Sequence, residues 1–253
     1  MNDGFAAFQQ LLSRSRLRRH PALAIVVAHP DDEVIGAGAQ LSRWAQAQVI
    51  HVTDGAPRNM ADALAAGFRS REEYALARRK ELESALALTG FLPAQLHGLG
   101  CVDQEAAWHL AELVVALAEQ LHAFQPEWVL THPYEGGHPD HDATAFAVHG
   151  ACQWLREQHG RAPAIIEMTS YHNGAGRMIA GEFLPDTNSV VTTLTLTREQ
   201  REFKRRLFAC FATQQTVLGG FPIAVERLRL AACYDFAGPR MPAPCITKCS
   251  TGA

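Results

Sequence analysis

A chain of 253 residues, 47% hydrophobic and 19% charged, has enough apolar material to bury a full core. Its formal net charge of -3 and pI near 6.4 give no general attraction to nucleic acid or to anionic lipid, both of which need a basic excess or a basic stripe. No stretch reaches the apolar length of a membrane span, so composition predicts a cytoplasmic protein that acts on small molecules.

In chain order, Arg14, Arg16, Arg18 and Arg19 form a basic cluster ahead of the apolar stretch Pro21 to Ala28. Because that stretch is short and runs straight into charged residues, a solvated N-terminal helix leading into a buried strand is expected in preference to a signal peptide. Apolar runs at Leu23–Ala28, Val49–Thr53, Trp128–Thr131 and Ile165–Thr169 have strand length. Helical spacing predicts helices over Val34–Gln46, Arg71–Leu88, Glu105–Phe124, Asp142–Gln158 and about Arg198 to Phe211. Ser70 with Glu73, and Thr197 with Gln200, have capping-box spacing at two of these starts. Asp54 to Gly67 and Tyr171 to Asn188 lack a period and read as long loops. The alternation of strand and helix predicts a three-layer α/β/α, Rossmann-like, mostly parallel sheet. A single domain over 1–253 is expected, with its core at about 22–236 and a proline-bearing tail at 237–253. That tail is either a loose end or an arm packing on a neighbouring subunit in a homo-oligomer. The six cysteines show no Cys-x-x-Cys pair and are expected to be free thiols, with Cys245 and Cys249 near enough in the tail to cross-link or bind metal adventitiously.

Chemistry concentrates at two strand ends. After the first strand comes His29-Pro30-Asp31-Asp32-Glu33, an imidazole and three carboxylates within five residues. Repulsion among adjacent carboxylates must be offset, and a bound cation is the usual means. Helix capping by the acidic turn is the plainer alternative, but a second cluster follows another predicted strand: His132-Pro133-Tyr134-Glu135-Gly136-Gly137-His138-Pro139-Asp140-His141-Asp142. Nitrogen and oxygen donors without thiolate suit Zn2+, and Fe2+ on two histidines and one carboxylate has the same sequence signature. Gly36-Ala37-Gly38 invites a dinucleotide reading, which Leu41 breaks by standing where the third glycine belongs.

The two motifs, in this order and at these strand ends, resemble the LmbE-like, or PIG-L, family of zinc-dependent N-deacetylases. The helix from Lys204 to Gln215 and the stretch Glu226 to Phe236, ending Tyr234-Asp235-Phe236, extend the resemblance over most of the chain. It implies removal of an N-acyl group, typically acetyl, from a small-molecule or glycoconjugate amino-sugar substrate. It implies His29, Asp32 and His141 as metal ligands and Asp31 as general base. It also implies that His138 stabilises the oxyanion, oriented by Asp140, and that Arg78 contacts substrate. Alternatives within the same residues are a zinc amidase or esterase on a non-sugar acyl compound, and a metal-binding module without catalysis. Glu33 and Asp54 are expected to orient the ligands, His51 to sit in the core, and His132 and His172 to be structural residues near the site.

Overall fold

The computed structural model of the protein describes residues 12, 23–174, 176–185 and 189–237. The expected N-terminal helix about Arg14 to Arg19 and the tail holding Cys245 and Cys249 lie outside the described residues.

A seven-stranded sheet is built from β1 (Leu23–Val27), β2 (Gln48–Thr53), β3 (Leu96–Cys101), β4 (Trp128–Thr131), β5 (Ala164–Met168), β8 (Val191–Thr195) and β9 (Val225–Leu230), in the order β3-β2-β1-β4-β5-β9-β8. The first five in that order run parallel, and β9 and β8 add an antiparallel edge. β1 alternates between the two faces of the sheet because successive strand side chains point oppositely. Leu23, Ile25 and Val27 pack with Val34, Leu82, Leu86 and Leu207 of the helices on one face, and with Phe211 just beyond them. Ala24 and Val26 pack with Leu113, Leu117, Leu121, Val148 and Leu155 on the other. The helices of the first face are α1 (Asp32–Ala37), α3 (Arg71–Thr89) and α6 (Arg198–Ala209); α4 (Leu110–Phe124) and α5 (Pro139–His159) cover the second. Short helices α2 (Ala61–Ala65) and α7 (Gln215–Leu218) complete the described set, together with single 3-10 turns. Among the described residues no helix is long and apolar enough to cross a membrane.

The mostly parallel three-layer architecture follows the sequence expectation, with local differences that have physical causes. The first helix stops at Ala37 rather than continuing to Gln46. Lys204 and Glu226, both fully buried, fix that end: Nζ donates to the Ile35 carbonyl at 2.7 Å and to Glu226 Oε1 at 2.9 Å, and Glu226 Oε1 accepts the Ala39 N–H at 2.8 Å. Gly36 allows the helix to lie against β5, since a Cβ there would stand 2.4 Å from Met168 Sδ. The expected Tyr171–Asn188 loop contains a hairpin of β6 (Tyr171–Gly174) and β7 (Arg177–Ala180), and β3, β8 and β9 add strands where none was expected. The Thr197–Gln200 capping box is complete, while at Ser70 the hydroxyl accepts the Glu73 N–H but the Glu73 carboxylate accepts from Arg69 in place of Ser70.

Strand order reverses direction at β1, whose neighbours are β2 on one side and β4 on the other. Ligands of open α/β sheets gather at such a switch point, beyond the carboxyl ends of the strands. The two motifs leave from there, one after β1 and one after β4.

Candidate metal centre

The loop after β1 carries His29, α1 opens with Asp32, and the first turn of α5 carries His141. Folding brings their donor atoms together. His29 Nδ1 lies 3.3 Å from Asp32 Oδ2, His141 Nε2 lies 3.3 Å from Asp32 Oδ1, and the two ring nitrogens are 3.3 Å apart. Nitrogen and oxygen ligands at zinc bond lengths stand about 3.3–3.6 Å apart in a tetrahedron; the two ring nitrogens meet that spacing, and Asp32 faces each of them through a different carboxylate oxygen. The His29 tautomer is set from the far side of its ring, where Nε2 faces Asp103 Oδ1 at 3.1 Å and Asp140 Oδ2 at 3.2 Å. A proton held there leaves Nδ1 as the nitrogen that meets a cation, the arrangement by which carboxylates orient metal-binding histidines.

The electrostatics are those of a crowded, buried cluster. Burial opposes charge on His29, but Asp103, Asp140 and Asp32 outweigh it and raise its pKa well above the usual value. Burial likewise opposes ionisation of Asp32, and His141 and His132 overcome it and hold the carboxylate well below its usual range. Burial pulls His141 down to about 4. Asp103, where burial is outweighed by His29, sits at about 2.

Asp31 is buried beside these donors with a backbone φ of 145°, a conformation that side-chain-bearing residues avoid. Burial pushes its carboxyl up to about 8, against the pull of Arg78. The Arg78 guanidinium is itself buried, donating through Nη1 to Gly55 O at 2.9 Å and through Nη2 to Pro30 O at 2.9 Å and Asp31 Oδ2 at 3.1 Å. It braces the first loop from α3.

His138 caps the N-terminus of α5, its Nδ1 accepting the Asp140 N–H at 3.1 Å. Burial, followed by the neighbouring His29 and His141, lowers its pKa to about 4, so the ring is neutral with its proton on Nε2. The resemblance has Asp140 orient His138, and the contact between them here is the Asp140 backbone N–H. The Asp140 carboxylate meets His29 and accepts the N–H groups of Gln104 at 2.6 Å and Ala106 at 3.1 Å.

Asp103 was not among the sequence candidates. It follows β3, a strand the sequence pattern did not reveal, and a lone Asp in a loop carries no signal without a strand end to place it. Glu33 turns away from the ligands to meet His51 Nε2 at 3.1 Å, and Asp54 binds Arg71 and the Ala56 N–H. His172 is buried on β6, opposite Ile179. Tyr171 reaches the centre, its ring edge-on to His141 at 5.3 Å, and burial raises its phenol to about 12.

Beside the second motif, Arg229 donates to Glu135 Oε1 at 3.0 Å, to Glu167 Oε2 at 2.7 Å and to Tyr234 Oη at 3.1 Å, so the Tyr234-Asp235-Phe236 segment packs against the site's rear wall. Burial raises Glu135 to about 7 despite the arginine.

Several solved structures share this fold. The antimicrobial reagent A40926 pseudoaglycone deacetylase Dbv21 is 21% identical, with a TM-score of 0.62 over 84% of this chain and 97% of that one. The N,N'-diacetylchitobiose deacetylase from Pyrococcus horikoshii is 20% identical, with a TM-score of 0.60 over 91% of this chain and 93% of that one. The 4-carboxy-2-hydroxymuconate hydratase GalB from Pseudomonas putida KT2440 is 21% identical, with a TM-score of 0.56 over 78% of this chain and 82% of that one. These likenesses establish the fold, and the hydratase among them shows that the fold alone does not choose the reaction. No curated protein matches the sequence. The sequence profile described as PIG-L, GlcNAc-PI de-N-acetylase, matches residues 24–152, just over half of the chain and the span from β1 through both motifs. The chain therefore belongs to the PIG-L family.

Proposed function

We propose that this protein is a zinc-dependent hydrolase that removes an N-acyl group, most simply acetyl, from an amino-sugar-containing substrate. The observation that carries the reading is the placing of Asp31, strained and buried, directly beside three converging metal donors. A pure binding site needs the donors but has no use for that carboxyl. Family membership and the deacetylase names of two structural neighbours support the substrate class.

His29, Asp32 and His141 hold the metal in this reading. A zinc ion there supplies Lewis acidity, polarising an amide carbonyl and making water a nucleophile near neutral pH. Asp31, held through Oδ2 by Arg78, takes the proton of the attacking water at its other oxygen. Burial raises this carboxyl's proton affinity, and a cation held by the neighbouring donors would lower it again toward the ionised form that a general base needs. His138 donates its Nε2 proton to the oxygen that becomes negative; being neutral and fixed by the α5 N-terminus, it needs no reorganisation to do so. Asp103 and Asp140 keep His29 turned toward the metal.

The test is amine release from N-acetylglucosamine and its simple glycosides. Release that stops on chelation and returns with added Zn2+ is the expected result. Zinc-loaded protein that leaves every N-acetyl sugar intact but cleaves a non-sugar amide or ester would replace this reading with the amidase alternative.

A further inference from the structure

His132 is fully buried just past the end of β4. The ladder between β1 and β4 ends with Ile25 opposite Leu130. Beyond that point the next inward N–H of the first chain segment, that of Ala28, finds a side chain in place of a backbone carbonyl: it donates to His132 Nε2 at 3.0 Å. The same nitrogen lies 3.3 Å from Asp32 Oδ2, and the ring stacks on His141 with centroids 4.0 Å apart and planes 5° from parallel. One imidazole thus touches the residue preceding His29 and the side chains of both other donors.

By distance alone, Asp32, His132 and His141 form one candidate set of ligands, beside His29 with His138 and His141, and His29 with Asp103, His138 and Asp140. Hydrogen bonding decides between the two histidines. The Nε2 lone pair of His132 is engaged by the Ala28 N–H, whereas His29 Nδ1 is opposed only by Asp32 and His141. Nε2 is shared between the Ala28 N–H at 3.0 Å and Asp32 Oδ2 at 3.3 Å, and the tautomer that accepts from Ala28 carries its proton on Nδ1, which is buried without a hydrogen-bond partner.

Resting on the zinc reading above, we propose that His132 is a positioning residue that locks the β1 and β4 loops in register, and so sets the affinity of the metal centre without binding the metal. Its loss leaves the three ligands present but no longer held at their mutual spacing. Supporting partners of this kind change metal affinity by about 10–100-fold.

The experiment is zinc affinity by chelator competition on the whole protein, with His132→Phe and His132→Gln. Phe keeps the ring stacked on His141 and loses the acceptor; Gln carries an amide oxygen near the Nε2 position. The expected result is a drop of about 10–100-fold for His132→Phe and recovery toward wild type for His132→Gln, with both variants folded by circular dichroism. Folded His132→Phe with wild-type affinity, or equal loss in both variants, overturns the proposal. Histidine 15N NMR of the wild-type protein gives a reading that needs no variant: Nδ1 protonated and Nε2 bare supports the proposal, and a proton on Nε2 overturns it. Wild-type protein that binds no zinc would instead remove the metal reading itself.

Discussion

Asp31→Asn is expected to keep its zinc and lose turnover by about 10²- to 10⁴-fold, the range a positioned general acid-base group contributes. Asparagine is nearly isosteric and retains an oxygen for Arg78, whose bonds to Gly55 and Pro30 do not depend on residue 31. The loop should therefore stay in place, and the deficit should appear in kcat with little change in KM, because the lost interaction is made only as the proton moves. Zinc affinity and thermal midpoint, measured in parallel, separate this from collapse of the loop. A variant with zinc bound and turnover within a few-fold of wild type would show that another group takes the proton.

Lys204→Met is expected to destabilise the protein by about 3–5 kcal/mol, because removing one partner leaves the Glu226 carboxylate buried and uncompensated. The loss also strips the Ile35 carbonyl of its donor, at the end of the helix that opens with Asp32. Replacing both residues, as in Lys204→Met with Glu226→Gln, should recover much of the stability, since the penalty lies in the orphaned charge rather than in the missing bond. Urea unfolding of the three variants measures it. Equal stability of the single variant and wild type would mean that water reaches Glu226.

Much of the site was legible because its residues are costly where they stand. Crowded carboxylates after an apolar strand have few structural uses, and both clusters sit at the ends of the strands with the plainest apolar runs, β1 and β4. That these two strands are neighbours across the reversal of strand order turns two distant motifs into one centre. The missed parts are those whose physics depends on partners. β9 carries Glu226 and Arg229 facing the interior, and only the ion pairs with Lys204, Glu135 and Glu167 make such a strand possible. β3 reads Leu-His-Gly-Leu-Gly-Cys, with two glycines that weaken a strand signal, and with it went Asp103. His132 was visible near the site, but its bond to Ala28 exists only once the sheet is assembled. Arg78, which the resemblance gives to substrate, also braces the loop that carries Asp31, a use that shows only once α3 is packed against that loop.

The most direct test of the central claim is metal content by elemental analysis, on wild-type protein and His141→Ala purified without added metal. The account predicts about one zinc per chain in the wild type and loss of most of it in the variant, since His141 is one of three ligands in a catalytic site that keeps its fourth position open. Zinc retained at full stoichiometry in a folded His141→Ala, or no metal in the wild type under any reconstitution, would contradict it.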